Sequence, residues 1–381
     1  MSIRIGIIGS RGIPNHYGGF ERLAEQLSLG LAAKGHELFV YNSHNHAYQD
    51  KQWNGIHLIH CYDPEYLVGC SGQFIYDLNC ILDARSRNFD VILVLGYTSS
   101  SVWGRLLPRK SVTIYHMDGF EWKRTKYSKT TRKFLQYAER LAVRFSDFHI
   151  SDSPAIQDYY REKYNLATEY IAYGAKLHTG ENMEVIKAYG VTPHNYFLLI
   201  ARMEPENNVE TILDGFAAST TDKIFLVVGN MRNAFGKFIV QKFSHDQRIR
   251  FIGALYDDHI THTLRLYSKS YFHGHSSGGT NPSLLEAMAS KCLIVAHDNI
   301  FNKMVLQEDA FYFTTASDIK DRVEKDCPEP VRHQMVGRNM EKINTNYNWE
   351  GITRQYERFM LQCRYLHIHE RNRLSKGYVC E

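Results

Sequence analysis

Short runs of apolar, largely β-branched residues alternate with longer amphipathic segments along the whole chain. Such runs predict buried strands, and apolar residues returning every three to four positions predict helices. In the first half the spacing predicts strands over 4–8, 38–41, 57–60, 91–95, 112–115, 148–150 and 169–172, with helices over 20–33, 74–87 and 130–145. The periodicity fades after Gly174, and Thr192, Pro193 and Asn195 suggest a linker ending near 193. A second series then predicts strands over 197–201, 224–228, 249–252, 271–273, 293–296 and 311–313, with helices over 209–218, 259–267, 282–290 and 319–325. Two consecutive α/β series of this kind imply two Rossmann-like domains with parallel sheets, facing one another. The expected division is 1–175, a linker over 176–193, 194–348, and a final segment over 349–381. Within that segment an amphipathic helix over 349–365 is expected to pack back across the junction, with a polar tail from His367 that frays.

Composition narrows the class. At 381 residues there is chain enough for two full cores. The 44% hydrophobic and 23% charged residues exclude global disorder, and a net charge of +4 is too mild to imply nucleic acid. The seven cysteines form no C-x-x-C pair and read as reduced thiols of a cytoplasmic protein. The chain enters a strand at once and has no apolar run of about 18 residues, so neither signal peptide nor spanning helix is expected. Membrane contact would then be peripheral.

The candidate chemistry centres on residues 274–288, a polar, glycine-rich loop that turns into a helix at Pro282. Unpaired N–H groups at a helix start favour anions, so the backbone around Thr280, Asn281 and Ser283 could cradle a phosphate. Glu286, one turn further on, could accept hydrogen bonds from ribose hydroxyls; an ordinary capped helix with proline at its first position is the plainer reading. Arg202 follows a strand and could clamp a diphosphate, or pair at the surface with Glu204 or Glu206. Gly229, Asn230 and Gly253 end the next strands at the same rim. The stretch after the first strand is not G-x-G-x-x-G and lacks the acid that holds an NAD ribose, which disfavours hydride transfer. Its Gly18 and Gly19 would let a ligand approach the backbone, or simply make a turn. Asp118 and His116, at a strand end, could orient or deprotonate an acceptor hydroxyl, or serve as turn residues. The histidines are too scattered for a metal site. From Lys123 to Arg144 eight bases face one acid, Glu139, a pattern suited to an anionic lipid surface or to a solvated helix face.

Five segments occur in an order that resembles a known family: Gly-Gly-Phe-Glu at 18–21, Met-Asp-Gly-Phe-Glu-Trp-Lys-Arg at 117–124, Ala-Arg-Met-Glu-Pro-Glu-Asn-Asn at 201–208, the loop and helix at 273–288, and Ala-His-Asp-Asn-Ile-Phe-Asn at 296–302. Together they resemble the retaining family-4 glycosyltransferases, and within them the bacterial branch of β-1,4-rhamnosyltransferases of polysaccharide synthesis. The resemblance runs from residue 3 to about 360. It implies a GT-B fold and metal-independent transfer without a cofactor, with the acceptor on the N-terminal domain and the nucleotide-sugar mainly on the C-terminal one. By position it implies that Arg202 neutralises the donor diphosphate, Glu286 holds the ribose, the 280–283 backbone meets the phosphates and Gly18–Gly19 line the opposite wall. Two positions depart from the wider family: Gly278 stands where a glutamate is usual, and Asn207 where a phosphate-binding lysine is usual. The expected reaction moves a sugar, L-rhamnose from dTDP-L-rhamnose, onto a polyprenyl-diphosphate-linked saccharide at the inner face of the cell membrane. A nucleotide-sugar epimerase of the same fold, and a non-catalytic sugar-nucleotide-binding component of a synthesis complex, are the alternatives.

Overall fold

A computed structural model of the protein describes residues 2–16, 18–117, 119–124, 127–178 and 182–377, with only the backbone described from residue 370 on. The chain forms two compact units. The first holds Met1–Trp122, Lys129–Ala172 and Trp349–Glu381, and the second holds Lys123–Ser128 and Tyr173–Asn348.

The sheet of the first unit contains β1 (Arg4–Ile8), β2 (Glu37–Ser43), β3 (Gln52–Trp53), β4 (Ile56–Cys61), β5 (Val91–Leu95), β6 (Val112–Met117), β7 (Phe148–Ser151) and β8 (Glu169–Tyr170). Their order is β3-β4-β2-β1-β5-β6-β7-β8, and every neighbouring pair is parallel except β3 with β4. Ile5 sits between Leu38 and Val91, and all three side chains are essentially inaccessible, as expected for central parallel strands covered on both faces. The long helix Trp349–Gly377 returns to this unit and packs on the helix Gly19–Ala33. Gly30 permits that approach, because a Cβ there would lie 2.6 Å from Thr353 Oγ1. Glu357 accepts from Lys34 at 2.8 Å, and Arg364 pairs with Asp90 at 2.9 Å. The helix continues well past His367, where a frayed tail was expected.

The second sheet contains β9 (Tyr196–Ile200), β10 (Ile224–Val228), β11 (Ile249–Gly253), β12 (Ser270–His273), β13 (Ile294–His297) and β14 (Phe311–Phe313). It is wholly parallel in the order β11-β10-β9-β12-β13-β14. Phe197, Phe216, Phe225 and Phe272 form its aromatic centre, with ring centroids 5.0–6.2 Å apart. Inside the segment expected as a linker, the short helix Glu184–Lys187 carries a fully buried Ile186. Helices Pro154–Tyr164, Ala234–Phe243, Ile300–Leu306 and Glu329–Asn346 were not expected from the pattern. Gly236 breaks the apparent propensity of the second, and the last buries only Asn339 and Ile343.

Candidate active site

Strand order reverses between β9 and β12, and the carboxyl ends beside such a reversal are the usual ligand position in such sheets. Residues 201–208 form one loop and 274–281 the other. In the first, the Arg202 carbonyl accepts from Glu204 N–H at 2.8 Å and from Asn207 Nδ2 at 2.7 Å, which fixes a tight turn. The Arg202 side chain is exposed and makes no hydrogen bond or ion pair with any described residue. The surface pairing with Glu204 or Glu206, weighed from the sequence, is not formed.

The second loop is stitched to the first. Asn207 Oδ1 lies 2.9 Å from His275 Nδ1; an amide oxygen only accepts, so that nitrogen carries the proton. Ser276 donates to the Glu206 carbonyl through both N–H (3.0 Å) and Oγ (2.8 Å). Asn299 and Asn302 each donate to the His275 carbonyl at 3.0 Å. Gly274 is obligatory, since a Cβ would stand 1.9 Å from the Asn207 carbonyl oxygen. Burial holds His275 well below the usual imidazole pKa, and the neighbouring His273, Arg124 and Arg202 push the same way. It is therefore neutral at physiological pH. Ser277 Oγ is buried without a hydrogen-bond partner, an uncompensated polar group in this loop.

The helix Pro282–Ala289 corrects one expectation. Asn281 is its N-cap, and Asn281 Oδ1 accepts the Ser283 N–H at 2.9 Å while its carbonyl accepts from Leu284 and Leu285. The Ser283 amide is thus consumed by the cap and does not point at a ligand. Ser283 Oγ turns inward, 3.0 Å from Tyr271 Oη and 3.3 Å from Arg265 Nη2. Thr280 is buried beside it. Glu286 keeps a quarter of its side chain exposed, and its Oε2 accepts from Arg265 Nη2 at 3.0 Å. Arg265, 4% exposed and 5.5 Å above the Tyr271 ring, has no signature in the sequence, where it reads as a solvated position on an amphipathic helix. Its guanidinium holds the Glu286 carboxylate in place.

Asn207 is buried and both ends of its amide are engaged, so it acts as a brace between the two loops rather than a phosphate contact. Gly229 owes its lack of a side chain to packing, because a Cβ would meet the Ala201 carbonyl oxygen at 2.3 Å. Asn230 closes a turn by accepting Arg232 N–H at 3.0 Å, and Gly253, at φ +80°, has open space around it. In the first unit, Gly18 is the extended N-cap residue of the helix that Gly19 begins. His116, at the end of β6, is 1% exposed with Phe20 edge-on at 5.4 Å, and burial lowers its pKa to about 4. Asp118 lies outside the described residues. Among the described residues no cluster of side chains suits a metal, and no helix is long and apolar enough to cross a membrane.

With the geometry in view, two family descriptions match the chain. Residues 3–176 match a domain of unknown function (DUF1972), and residues 184–330 match the glycosyl transferases group 1. Residues 184–330 are thus those of a group 1 glycosyltransferase. No relative among the curated proteins matches. Among solved structures, the chain is similar to the sucrose-phosphate synthase of Thermosynechococcus elongatus, with a TM-score of 0.77 and 15% identity over 94% of this chain and 98% of that one. It is similar to the Anabaena protein HepE solved with UDP-glucose, with a TM-score of 0.73 and 14% identity over 94% of this chain and 100% of the other. A UDP-forming trehalose-phosphate synthase from Burkholderia xenovorans gives a TM-score of 0.74 and 13% identity over the same shares. At these identities the likeness establishes the GT-B fold. The group 1 glycosyltransferases transfer sugar from a nucleotide-sugar, and the second unit carries the matched region.

Proposed function

We propose that this glycosyltransferase moves L-rhamnose from dTDP-L-rhamnose, with retention, onto a polyprenyl-diphosphate-linked saccharide at the inner face of the cell membrane. The observation that carries the donor half is Arg202, an exposed guanidinium without a protein partner among the described residues, beside a neutral His275 at the switch point of the second sheet. In the reaction the C1–O bond to the β-phosphate breaks and the acceptor hydroxyl oxygen bonds to C1 from the same face. The hydroxyl proton passes to the departing phosphate. Arg202 balances the negative charge that develops on that phosphate, the form of help that usually dominates such sites. Glu286, held in place by Arg265, accepts hydrogen bonds from the ribose hydroxyls. Backbone around Thr280 and Asn281 approaches the diphosphate, while Asp118 and His116 orient the acceptor. Gly278, at φ +112°, offers no carboxylate to sugar hydroxyls, which suits a deoxysugar donor.

The membrane side of the reading rests on the first unit. Along the helix Lys129–Phe145, the residues Lys129, Lys133, Tyr137, Arg140 and Arg144 are exposed at intervals of three or four and share one face. Phe134 of that helix meets Phe74 at 5.7 Å, and next to Phe74 the apolar Ile75 is 43% exposed. Leu67 and Val68, just before, are 65% and 55% exposed. A basic face beside exposed apolar groups suits an anionic lipid surface.

The deciding experiment is a thermal-shift screen of nucleotide-sugars followed by transfer assays on a lipid-linked acceptor. The true donor raises the melting midpoint by mass action. dTDP-L-rhamnose is expected to give the largest rise and to turn over only with acceptor present. An equal or larger rise with UDP-glucose removes the rhamnose assignment, and isomerisation of donor without acceptor makes the protein an epimerase. Flotation with liposomes tests the membrane side: binding should need anionic lipid, and indifference to lipid charge removes it.

A further inference from the structure

At the amino ends of β5 and β6 the first unit holds a cavity of about 350 Å³, within the size range of small-molecule sites. It lies at the opposite end of these strands from the carboxyl ends, where the ligands of such sheets are usually bound. Arg85, Asn88, Arg105 and Lys110 line it. They come from separate segments: Arg85 and Asn88 follow the helix Gly72–Ala84, Arg105 belongs to the short 3-10 segment Ser100–Leu106, and Lys110 stands just before β6. Arg109, also at the wall, has interactions of its own.

Among the described residues no lining side chain is acidic. Arg85 makes one hydrogen bond, from Nη1 to the Leu106 carbonyl at 3.1 Å, which ties the helix end to the next segment. Arg105 rests against the Phe145 ring, 6.0 Å from its centroid, and Lys110 has no partner among the described residues. None of these three cations meets a described carboxylate. The acids nearest in sequence are already engaged: Asp83 accepts from Arg87 at 3.1 Å, and Asp90 accepts from Arg4 N–H at 2.8 Å and pairs with Arg364 at 2.9 Å. The carbonyls of Ile81, Asp83 and Ala84 accept from Arg85, Ser86 and Arg87, so the negative end of the helix is covered. A concave wall lined by one sign of charge concentrates ions of the other sign.

We propose that this cavity is a binding site for a terminal phosphate group, separate from the donor site. Planar guanidinium groups grip phosphate oxygens bidentately, and a lysine adds a point charge. Asn88, exposed and held at φ +53°, adds an amide donor. The same chemistry serves a soluble phosphate and the phosphomonoester headgroup of a lipid. The cavity also continues the basic face of the helix Lys129–Phe145. Arg144, the last cation of that stripe, lies 5.4 Å from the centroid of the same Phe145 ring that Arg105 covers. Gly104 permits that close packing, because a Cβ there would stand 2.6 Å from Phe145 Cβ. The phosphate site stands without the membrane reading; only a headgroup as occupant rests on it.

The test titrates inorganic phosphate into full-length protein carrying Arg202→Ala, so that the donor site contributes least, with chloride at equal ionic strength as the control. Adding Arg85→Gln and Arg105→Gln should weaken phosphate binding at least about 10-fold, as expected for lost charge-assisted contacts. Lysine at both positions should keep part of it, and the melting midpoint without phosphate reports folding separately. Equal phosphate binding with and without the two glutamines, or binding no better than chloride, overturns the proposal and leaves the donor and membrane readings untouched. Flotation then separates the sources, using phosphatidylcholine vesicles that contain phosphatidic acid or phosphatidylglycerol at matched surface charge. A preference for phosphatidic acid that the two glutamines abolish makes a lipid headgroup the occupant. Phosphate binding at the cavity without that preference makes the occupant a soluble phosphate. If flotation ignores lipid charge altogether, the membrane reading falls, and the phosphate site stands on the titration.

Discussion

The two sheets each reverse strand order once, between β1 and β5 in the first unit and between β9 and β12 in the second, and the two switch points are built to different electrostatic plans. At the first, the charges are internally satisfied. The Glu21 carboxylate accepts Arg11 N–H at 2.8 Å, the Arg11 guanidinium is bidentate on Glu65, and Asp77 accepts from Ser99 Oγ at 2.6 Å. Burial raises Asp77 to a pKa of about 7, so even this carboxylate is partly protonated at neutral pH. At the second, Arg202 has no partner among the described residues, and His273 and His275 are held neutral. The first rim has its charges closed off, and the second presents the exposed, unpartnered cation on which the proposed diphosphate contact rests. Like reversals of strand order thus carry different side-chain chemistry in the two units.

The largest effect expected from this difference is in acid. Burial depresses His262, His273, His275 and His297 in the second unit, and His46, His116 and His149 in the first. For an imidazole lowered on folding, the unfolded chain binds the extra proton, so stability is lost as pH falls below about 6.5 toward the folded value. Asp77 has the opposite sign: its folded pKa is raised, so it stabilises the first unit as pH falls from about 7 toward 4. The second unit should therefore unfold first, each net proton adding about 1.4 kcal/mol per pH unit. Trp53, Trp103, Trp122 and Trp349 all lie in the first unit, so far-UV circular dichroism should fall at a higher pH than the change in tryptophan emission. Coincident transitions would abolish the distinction.

Next in size is Arg265→Met, which leaves Glu286 charged without its buried partner. A loss of about 3–5 kcal/mol is expected in urea unfolding, the usual cost of breaking a buried pair from one side. Adding Glu286→Gln should recover much of it, and equal losses with and without that second change would mean that the pair is not coupled. Arg202→Ala should leave the unfolding free energy within about 0.5 kcal/mol, since its side chain is exposed, yet reduce transfer about 100- to 1000-fold. Near-normal turnover would empty the second switch point of its assigned purpose. The smallest change is Asn281→Ala, expected to cost about 1 kcal/mol of stability through loss of the cap. If it instead abolished donor binding with the fold intact, Asn281 would be a ligand contact first and a cap second.

Much of this was readable in the sequence, for identifiable reasons. The strands 4–8, 91–95 and 224–228 were placed to the residue because each apolar run stops at a glycine, and 311–313 because three aromatic residues stand together before Thr314. Pro282 announced a helix start, and Asn281 before it is the cap. The chemistry of the crevice was less legible. Arg265 follows an amphipathic pattern that predicts solvent, and only the tertiary structure shows it buried under Glu286. Asn207 was read for the phosphate it would face, but it braces His275, because a short amide in a buried turn finds backbone and ring partners first. Arg124 was counted among eight bases of a single surface segment, whereas burial beside Glu206 sets it apart from the exposed helical stripe that follows. Local periodicity carries no information about which unit a six-residue excursion will join.

The chain leaves the first unit after Ala172 and re-enters it at Trp349, and the two crossings run side by side, with Ala175 N–H donating to the Tyr347 carbonyl at 2.7 Å. On the ribosome, the second unit can close its core once its last strand and helices have emerged. The amino-terminal body must wait for the final helix to cover Gly30 and pair with Lys34, although its own strands were made first. Synthesis order and completion order are thus inverted, and a stop codon near 348 would spare the later-made body while leaving the earlier one unfinished.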